Sequence, residues 1–214
     1  MPSSNIELKL STVSVVLVAQ VHNPAIINPD FLKKSGVVGS DWQVDENKPP
    51  LSTPLLSQIS FNNGVEWRVT PDICTIVEKV EGDLKDSYSI HECAKAYIKT
   101  LEHIPYRALG VNWHFSLDSA EEDLQTWMKE RFLKSGNWQT SIESTSLSFK
   151  VLYPSAVCNI TIDIRESKIA LNLHHDVVSV DNKKDELCSA LDNSERNQAF
   201  VEECLNRYIR EELS

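Results

Sequence analysis

Two short sequence motifs occur in similar form in each half of the chain, at matching places in the pattern of predicted elements. Residues 31–36 (FLKKSG) resemble residues 132–136 (FLKSG). Residues 92–98 (ECAKAYI) resemble residues 203–209 (ECLNRYI), which share the pattern Glu-Cys-x-x-x-Tyr-Ile. These repeated motifs favour an internal duplication, with halves at about 1–104 and 105–214. The alternative is that two unrelated helices each need a small thiol and an amphipathic tyrosine at positions that face the core.

Alternating apolar residues between turn signals predict strands, and apolar residues three and four apart predict helices. Strands are predicted at 6–22, 55–61, 65–70, 73–80, 106–117, 144–153, 156–165 and 168–176. Helices are predicted at 28–36, 89–103, 118–136 and 195–213, with an acidic loop at 179–193. The turn at Asn62-Asn63-Gly64 predicts a hairpin, and Ser89 with Glu92 predicts a capping box.

The order of these elements predicts an α+β fold. Two tandem β-α-βββ-α halves would form one curved, mainly antiparallel sheet of about eight strands with packed helices. Tight turns between consecutive strands favour antiparallel over parallel pairing. Because the halves would share this sheet, we expect residues 1–214 to form a single domain.

Charge and composition exclude several classes of function. The net charge is −10, from 21 Lys+Arg against 31 Asp+Glu, and no dense basic run is present, so binding to nucleic acid or to an anionic membrane is not expected. The longest apolar run, residues 13–21, is too short to span a membrane, and the N-terminus lacks the pattern of a signal peptide. Five cysteines without a CxxC pattern indicate a reduced, cytoplasmic protein.

One compact group of residues has ligand-type side chains. In a strand, His174 and Asp176 share a face and could bind a ligand or form a base and its orienting carboxylate. His114, on the polar face of the predicted strand 106–117, is a conceivable third member. A catalytic metal would need three protein ligands, so neither a metal nor a cofactor is predicted, and no catalytic residue is assigned. The alternative is that these are strand-end histidines with no chemical role.

Two tryptophans lie in predicted loops at similar positions after the FLKKSG and FLKSG segments. They are Trp42 and Trp138. A loop tryptophan is typical of protein–protein contacts, although it can equally serve to anchor its own loop.

Residues 104–113 (IPYRALGVNW), which follow an amphipathic helix, and the segment Leu171-x-x-His174 carry a loose family resemblance. Together they resemble segments of uncharacterised bacterial α+β proteins of sporadic occurrence. The resemblance spans about residues 55–214 and implies a bacterial or phage cytoplasmic protein. It implies no activity, so no catalytic residue is carried over from it.

The sequence therefore favours a non-enzymatic interaction or scaffolding protein that binds a protein partner or copies of itself. The alternative is a small-molecule or peptide-binding domain, or a hydrolase, that uses the concave sheet face with His114, His174 and Asp176.

Overall fold

The computed structural model describes residues 7–82, 88–118, 126, 146–153, 156–163, 168–176, 183–193, 199–201 and 203. In these residues nine strands are present: β1 Glu7–Ala19, β2 Leu51–Ser52, β3 Ser57–Ser60, β4 Val65–Val69, β5 Ile73–Gly82, β6 Tyr106–Asp118, β7 Ser146–Tyr153, β8 Ala156–Asp163 and β9 Lys168–Asp176. Three helices have bounds within the described residues, α1 Pro29–Lys34, α2 Ser89–Thr100 and α3 Lys183–Asp192, and a 3₁₀ turn covers Pro24–Ile26. Residues 126, 199–201 and 203 are also helical.

All nine strands belong to one sheet, in the order β2-β3-β4-β5-β1-β6-β9-β8-β7, and every pairing is antiparallel. The predicted α+β class with a mainly antiparallel sheet is therefore confirmed. The described residues contain nine strands where about eight were expected; the additional strand, β2, has only two residues and lies outside the predicted strands.

The core lies between one face of the sheet and the helices. Val13, Val15 and Leu17 of β1 are fully buried. On β6, Trp113 is fully buried and Val111 is 1% exposed. The same core contains the following helix residues: Ile90, Ala94, Tyr97 and Ile98 of α2, and Leu187 and Leu191 of α3. We call this side of the sheet the helix face. The other side, which we call the reverse face, carries the alternate residues of each strand.

The predicted hairpin turn at 62–64 and the predicted helix at 28–36 are both present. The hairpin between β3 and β4 closes through Asn62 and Asn63 with Gly64 at φ +85°, a left-handed conformation that favours glycine. Helix α1 begins after Asn28, whose side chain accepts a hydrogen bond from Phe31 N at 2.9 Å. It is followed by Gly36 at φ +68°.

The predicted capping box at the start of α2 is wrong. Tyr88 is the residue that precedes the helix, and it makes no side-chain cap. The Ser89 hydroxyl instead donates to Glu78 Oε2 of β5 at 2.8 Å, and Ile90 N donates to the same oxygen at 3.4 Å. A carboxylate from the neighbouring strand therefore caps the helix, and Glu92 pairs with Lys95.

The predicted acidic loop at 179–193 is also wrong, because most of it is helix α3. The helix begins with four consecutive charged residues, 183–186, so its sequence pattern resembles that of a solvent-exposed loop. Its apolar stripe consists of Leu187 and Leu191, four residues apart. Both side chains are 1% exposed. Helix α3 runs antiparallel to α2, as the ion pairs Lys184–Glu102 and Lys95–Asp192 indicate.

The chain between α1 and β3 protects one edge of the sheet. Residues 51–52 pair with the outer side of β3, and Val44 forms an isolated bridge with Phe61. Pro49 and Pro50 precede β2 and lack the N–H group that an added strand would need. This arrangement blocks strand addition at the β2 edge.

Candidate functional site: the loop end of the sheet

Antiparallel pairing brings several connections together at one end of the sheet. Strand β1 ends there, β3 and β6 begin there, and the turn from β4 to β5 closes there. The connections are joined by backbone hydrogen bonds: Ala19 N donates to Asp72 O at 3.0 Å, and Gln20 N donates to Pro105 O at 3.0 Å. We call this region the loop end.

Large apolar side chains are exposed at the loop end. We define the loop-end patch as five residues whose side chains are between 38% and 73% exposed: Val21, Ile26, Leu51, Leu55 and Ile73. Ser52 Oγ donates to Ala25 O at 3.3 Å, which places β2 beside the 3₁₀ turn. His22 N donates to Pro71 O at 2.5 Å, which places the start of β5 beside Val21. Exposed apolar surface concentrated in this way is typical of interaction sites.

A cleft of about 140 Å³ opens at the loop end, and two residues of the patch, Val21 and Ile26, line it. Its walls are mostly apolar and are formed by the end of β1, the 3₁₀ turn and the connection from α2 to β6. The lining residues are Val21, His22, Asn23, Ile26, Leu101, His103, Ile104 and Pro105. Its volume is close to that of an apolar protein cavity of about 150 Å³ that accommodates benzene. The cleft can therefore hold one apolar side chain or a molecule of similar size.

A buried hydrogen-bond network forms the wall behind the cleft. The His22 ring is 2% exposed; its Nε2 lies 3.3 Å from Leu17 O and its Nδ1 lies 3.2 Å from the Tyr97 hydroxyl. Because a carbonyl only accepts, Nε2 must carry the proton and Nδ1 must accept from Tyr97. The Tyr97 hydroxyl is also hydrogen-bonded to the Cys74 thiol, which can donate to the hydroxyl oxygen. Every member of the network thus has a partner.

The pKa directions indicate that this network is structural. Burial lowers the pKa of His22 below 6.5, against the opposing effects of the Leu17 carbonyl and the Asp72 charge, so the ring is neutral at pH 7. Burial strongly raises the pKa of the Cys74 thiol and of the Tyr97 hydroxyl. A thiol that stays protonated is a poor nucleophile. The network therefore joins the end of β1 to α2 and β5 and does not activate a nucleophile.

The three predicted ligand residues lie on two neighbouring strands. In the β6–β9 pairing, position 174 is opposite Gly110, position 176 is opposite Ala108, and His114 is opposite Ala170. All three positions therefore belong to the reverse face. Four residues along the strand separate His114 from position 174, a distance of about 13 Å. The register therefore groups positions 174 and 176 but leaves His114 apart from them.

His114 lies beside an irregularity in the central strand pair. The register between β1 and β6 shifts at Ser11, and the Ser11 hydroxyl donates to His114 O at 2.8 Å. Such bulges often reorient side chains next to a site. Among the described residues, no group of three or more His, Cys, Asp or Glu side chains is arranged to hold a metal ion.

Trp42 is half-buried and packs against its own part of the chain. Its ring lies 5.3 Å from that of Phe61, with an interplanar angle of 73°. A Cβ at Gly39 would come within 2.6 Å of Trp42 Cδ1, so the indole fits only because glycine is there. These contacts are those of a loop anchor, and they leave part of the indole exposed. Trp138, the second predicted contact residue, lies outside the described residues.

Sequence reasoning did not identify the loop-end patch or its cleft. The residues involved come from four separate segments, and an isolated Val, Ile or Leu beside a turn carries no signal of exposure. In the described ranges, no helix combines the length and apolar character that crossing a bilayer requires. The chain matches no protein-family model and no curated protein.

Proposed function

We propose that this protein is a non-enzymatic interaction module that uses the loop-end patch to bind apolar surface of another protein chain. The observation that supports this proposal is the exposure of Val, Ile and Leu side chains at the loop end, where Val21 and Ile26 line an apolar cleft. A rigid scaffold with apolar surface at one end suits recognition, because little order has to be gained on binding. The −10 net charge keeps such a chain soluble despite this surface.

We further propose that the chain arose by duplication, as the sequence echoes predict. The sheet order supports this, because, apart from the short edge strand β2, it is the same when read outward from the β1–β6 pair in either direction. On one side β1 is followed by β5, β4 and β3; on the other, β6 is followed by β9, β8 and β7. Each first strand pairs with the last strand of its own meander and with the first strand of the other half.

A cytoplasmic location remains part of the proposal. The side chains of Cys74, Cys93, Cys158 and Cys188 are buried thiols that form no disulfide. Burial raises the pKa of Cys93 to about 12, with the carboxylates of Glu78 and Glu92 acting in the same direction. Buried protonated thiols of this kind suit a reducing compartment.

Selection from a random peptide library tests the proposed function. The immobilised protein should enrich peptides with one or two large apolar residues, and their binding should be lost in the variant Leu55→Glu. Leu152→Glu is the matched control, because Leu152 is 81% exposed but lies on β7, eight strand positions from β2. Failure to enrich any peptide, or equal binding by Leu55→Glu and the unmodified protein, would contradict the proposal.

The same selection addresses a second candidate, a peptide-binding reverse face. This alternative is supported by the placement of positions 114, 174 and 176 on one face of the sheet. His114 and position 174 are about four residue steps apart along the strands, or about 13 Å, and this spacing suits an extended peptide better than a small molecule. Peptides that bind through this face should tolerate Leu55→Glu and lose binding in His114→Ala. Retained binding in His114→Ala would remove this candidate.

A further inference from the structure

The turn that joins β3 to β4 contains Asn63, the one asparagine of the sequence that glycine follows. This turn lies at the end of the sheet opposite the loop end, because β3 begins at the loop end and the turn follows its last residues. Asn63 is exposed, so water reaches its carboxamide. Glycine has no side chain to hinder the approach of its own backbone nitrogen to that carboxamide. The Asn63-Gly64 pair is therefore a candidate site of covalent modification.

The reaction open to this pair is intramolecular, and water is its only co-reactant. The Gly64 nitrogen attacks Cγ of Asn63, a bond forms between these two atoms, and the bond from Cγ to Nδ2 breaks. The side-chain nitrogen leaves as ammonia and takes the proton that Gly64 N gives up. Water then opens the cyclic imide at one of two bonds. Cleavage between Gly64 N and Cγ gives aspartate, whereas cleavage between Gly64 N and the main-chain carbonyl carbon gives isoaspartate.

The folded turn keeps the reacting atoms apart. Gly64 N donates to Phe61 O at 3.1 Å, and Phe61 N donates to Val65 O at 2.8 Å. With Gly64 in the left-handed conformation, these bonds define a three-residue hairpin loop built on a type I turn. Asn63 is then the third residue of the turn, where ψ is about 0° and the Gly64 nitrogen eclipses the nitrogen of Asn63. Ring closure requires the Gly64 nitrogen to eclipse Cβ instead, so the peptide between the two residues must first rotate.

This rotation breaks the hydrogen bonds of the turn. Besides the bond to Phe61 O, it separates Asn63 Oδ1 from Val65 N, which donates to it at 3.2 Å. Opening of the turn also releases Gly64 O, which accepts from Lys79 N of β5 at 3.1 Å. We propose that Asn63 is a site of spontaneous deamidation and that opening of the β3–β4 turn sets the rate of this reaction in the folded protein. The turn lies away from the loop-end patch, so this modification goes beyond the proposed function.

The two products should differ in their effect on the fold. Aspartate keeps the length of the turn and an oxygen that accepts from Val65 N. Isoaspartate adds a methylene group to the main chain, so the same turn can no longer join Phe61 to Val65. The strands on either side carry Ile59 and Trp67, which are paired with each other and are each 1% exposed. We therefore expect the isoaspartate form to unfold at a lower urea concentration than the aspartate form, although both carry the same charge.

Incubation in warm, mildly alkaline buffer, followed by peptide mapping with mass spectrometry, tests the proposal. Position 63 should become aspartate and isoaspartate with release of ammonia, and Asn63→Ser should release none from this position. Three hydrogen bonds, each favouring the closed turn by a factor of about five, should make the reaction on the order of 100-fold slower in the folded protein than in urea. Equal rates in the two states overturn the proposal, as does an unmodified position 63 in urea or in the folded protein after the correspondingly longer incubation.

The variant Trp42→Ala separates opening of the turn from the chemistry. The Trp42 ring packs 5.3 Å from that of Phe61, and the next residue, Gln43, accepts a hydrogen bond from Asn62 N at 2.9 Å through its carbonyl oxygen. Loss of this anchor should raise the deamidation rate of the folded protein several-fold and leave the rate in urea unchanged. Leu152→Ala, an exposed site on β7, is the matched control and should change neither rate. An unchanged rate in a folded Trp42→Ala protein contradicts control by opening of the turn.

Discussion

His91 provides the sharpest test of the energetics of this fold. Its ring lies in the first turn of α2, is 5% exposed and packs edge-on against Tyr88, with the ring centroids 5.7 Å apart. Neither ring nitrogen has a hydrogen-bond partner. Burial, together with the positive charge of Lys95, lowers the pKa of His91 to about 4, against the opposing charge of Glu92. The folded protein therefore binds a proton at this site much less readily than the unfolded chain.

The sign of the pH dependence follows from this difference. The unfolded value is 6.5, so as pH falls below 6.5 the unfolded chain takes up a proton that the folded protein does not. The free energy of unfolding should therefore decrease as pH falls from 6.5 to about 4 and level off below that range. Each pKa unit corresponds to about 1.4 kcal/mol, so His91 alone should contribute a loss of about 3 kcal/mol.

The variant His91→Phe isolates this contribution. It keeps an aromatic ring against Tyr88 and removes two unpaired nitrogens, so at pH 7 it should be more stable than the unmodified protein by about 1–3 kcal/mol. The difference should grow by a further 3 kcal/mol or so by pH 4. Urea unfolding followed by circular dichroism at several pH values measures both quantities. Comparing the two proteins at each pH cancels the contributions of the other titrating groups.

A matched variant and a clear refuting result complete the experiment. His103→Asn removes an exposed histidine and shows whether loss of any imidazole reproduces the effect. If unmodified protein and His91→Phe lose stability in parallel as pH falls, then the His91 ring is hydrated or paired in solution. In that case the reasoning from burial to pKa to stability is incorrect at this residue.

Four further substitutions test particular contacts by urea unfolding. Asn28→Ala removes the cap of α1 and should cost about 1 kcal/mol; no loss would mean that the cap is replaced by water. Tyr97→Phe leaves His22 Nδ1 buried without a donor and should cost about 1–3 kcal/mol, whereas an unchanged stability would mean that His22 finds another partner. Glu78→Gln should cost about 1 kcal/mol and Glu92→Gln clearly less; the reverse order would restore the capping box at α2.

Most elements could be predicted from local patterns. Strands β1, β4, β6 and β9 lie within a few residues of their predicted bounds, because alternation of apolar residues reflects a sheet with one buried face. Helix α3 was missed because its charged first turn outweighs a narrow apolar stripe. The α2 cap was assigned wrongly because the carboxylate that caps the helix, Glu78, lies on strand β5, eleven residues before the helix. No local sequence pattern connects the two positions.

The loop-end patch and its cleft were not predicted from the sequence, and none of the predicted ligand residues lines the cleft. The sequence correctly places His174 and Asp176 two residues apart on one strand, and His114 on another. It could not reveal the 13 Å separation between His114 and position 174, about four residue steps, which depends on the register between β6 and β9. A register is decided by pairing over the whole length of two strands, and local sequence does not encode it.

The sequence by itself determined where most of the strands lie and where the chain turns. These properties depend on neighbours within a few residues. Only the tertiary structure decided that the ends of β1, β5 and β6 meet, because antiparallel pairing joins positions far apart in the chain. That meeting forms the cleft that His22 lines, at the end of the sheet where Leu55 is exposed. The exposure of an apolar residue depends on which distant segments cover it, so the most prominent surface of this protein could not be seen in its sequence.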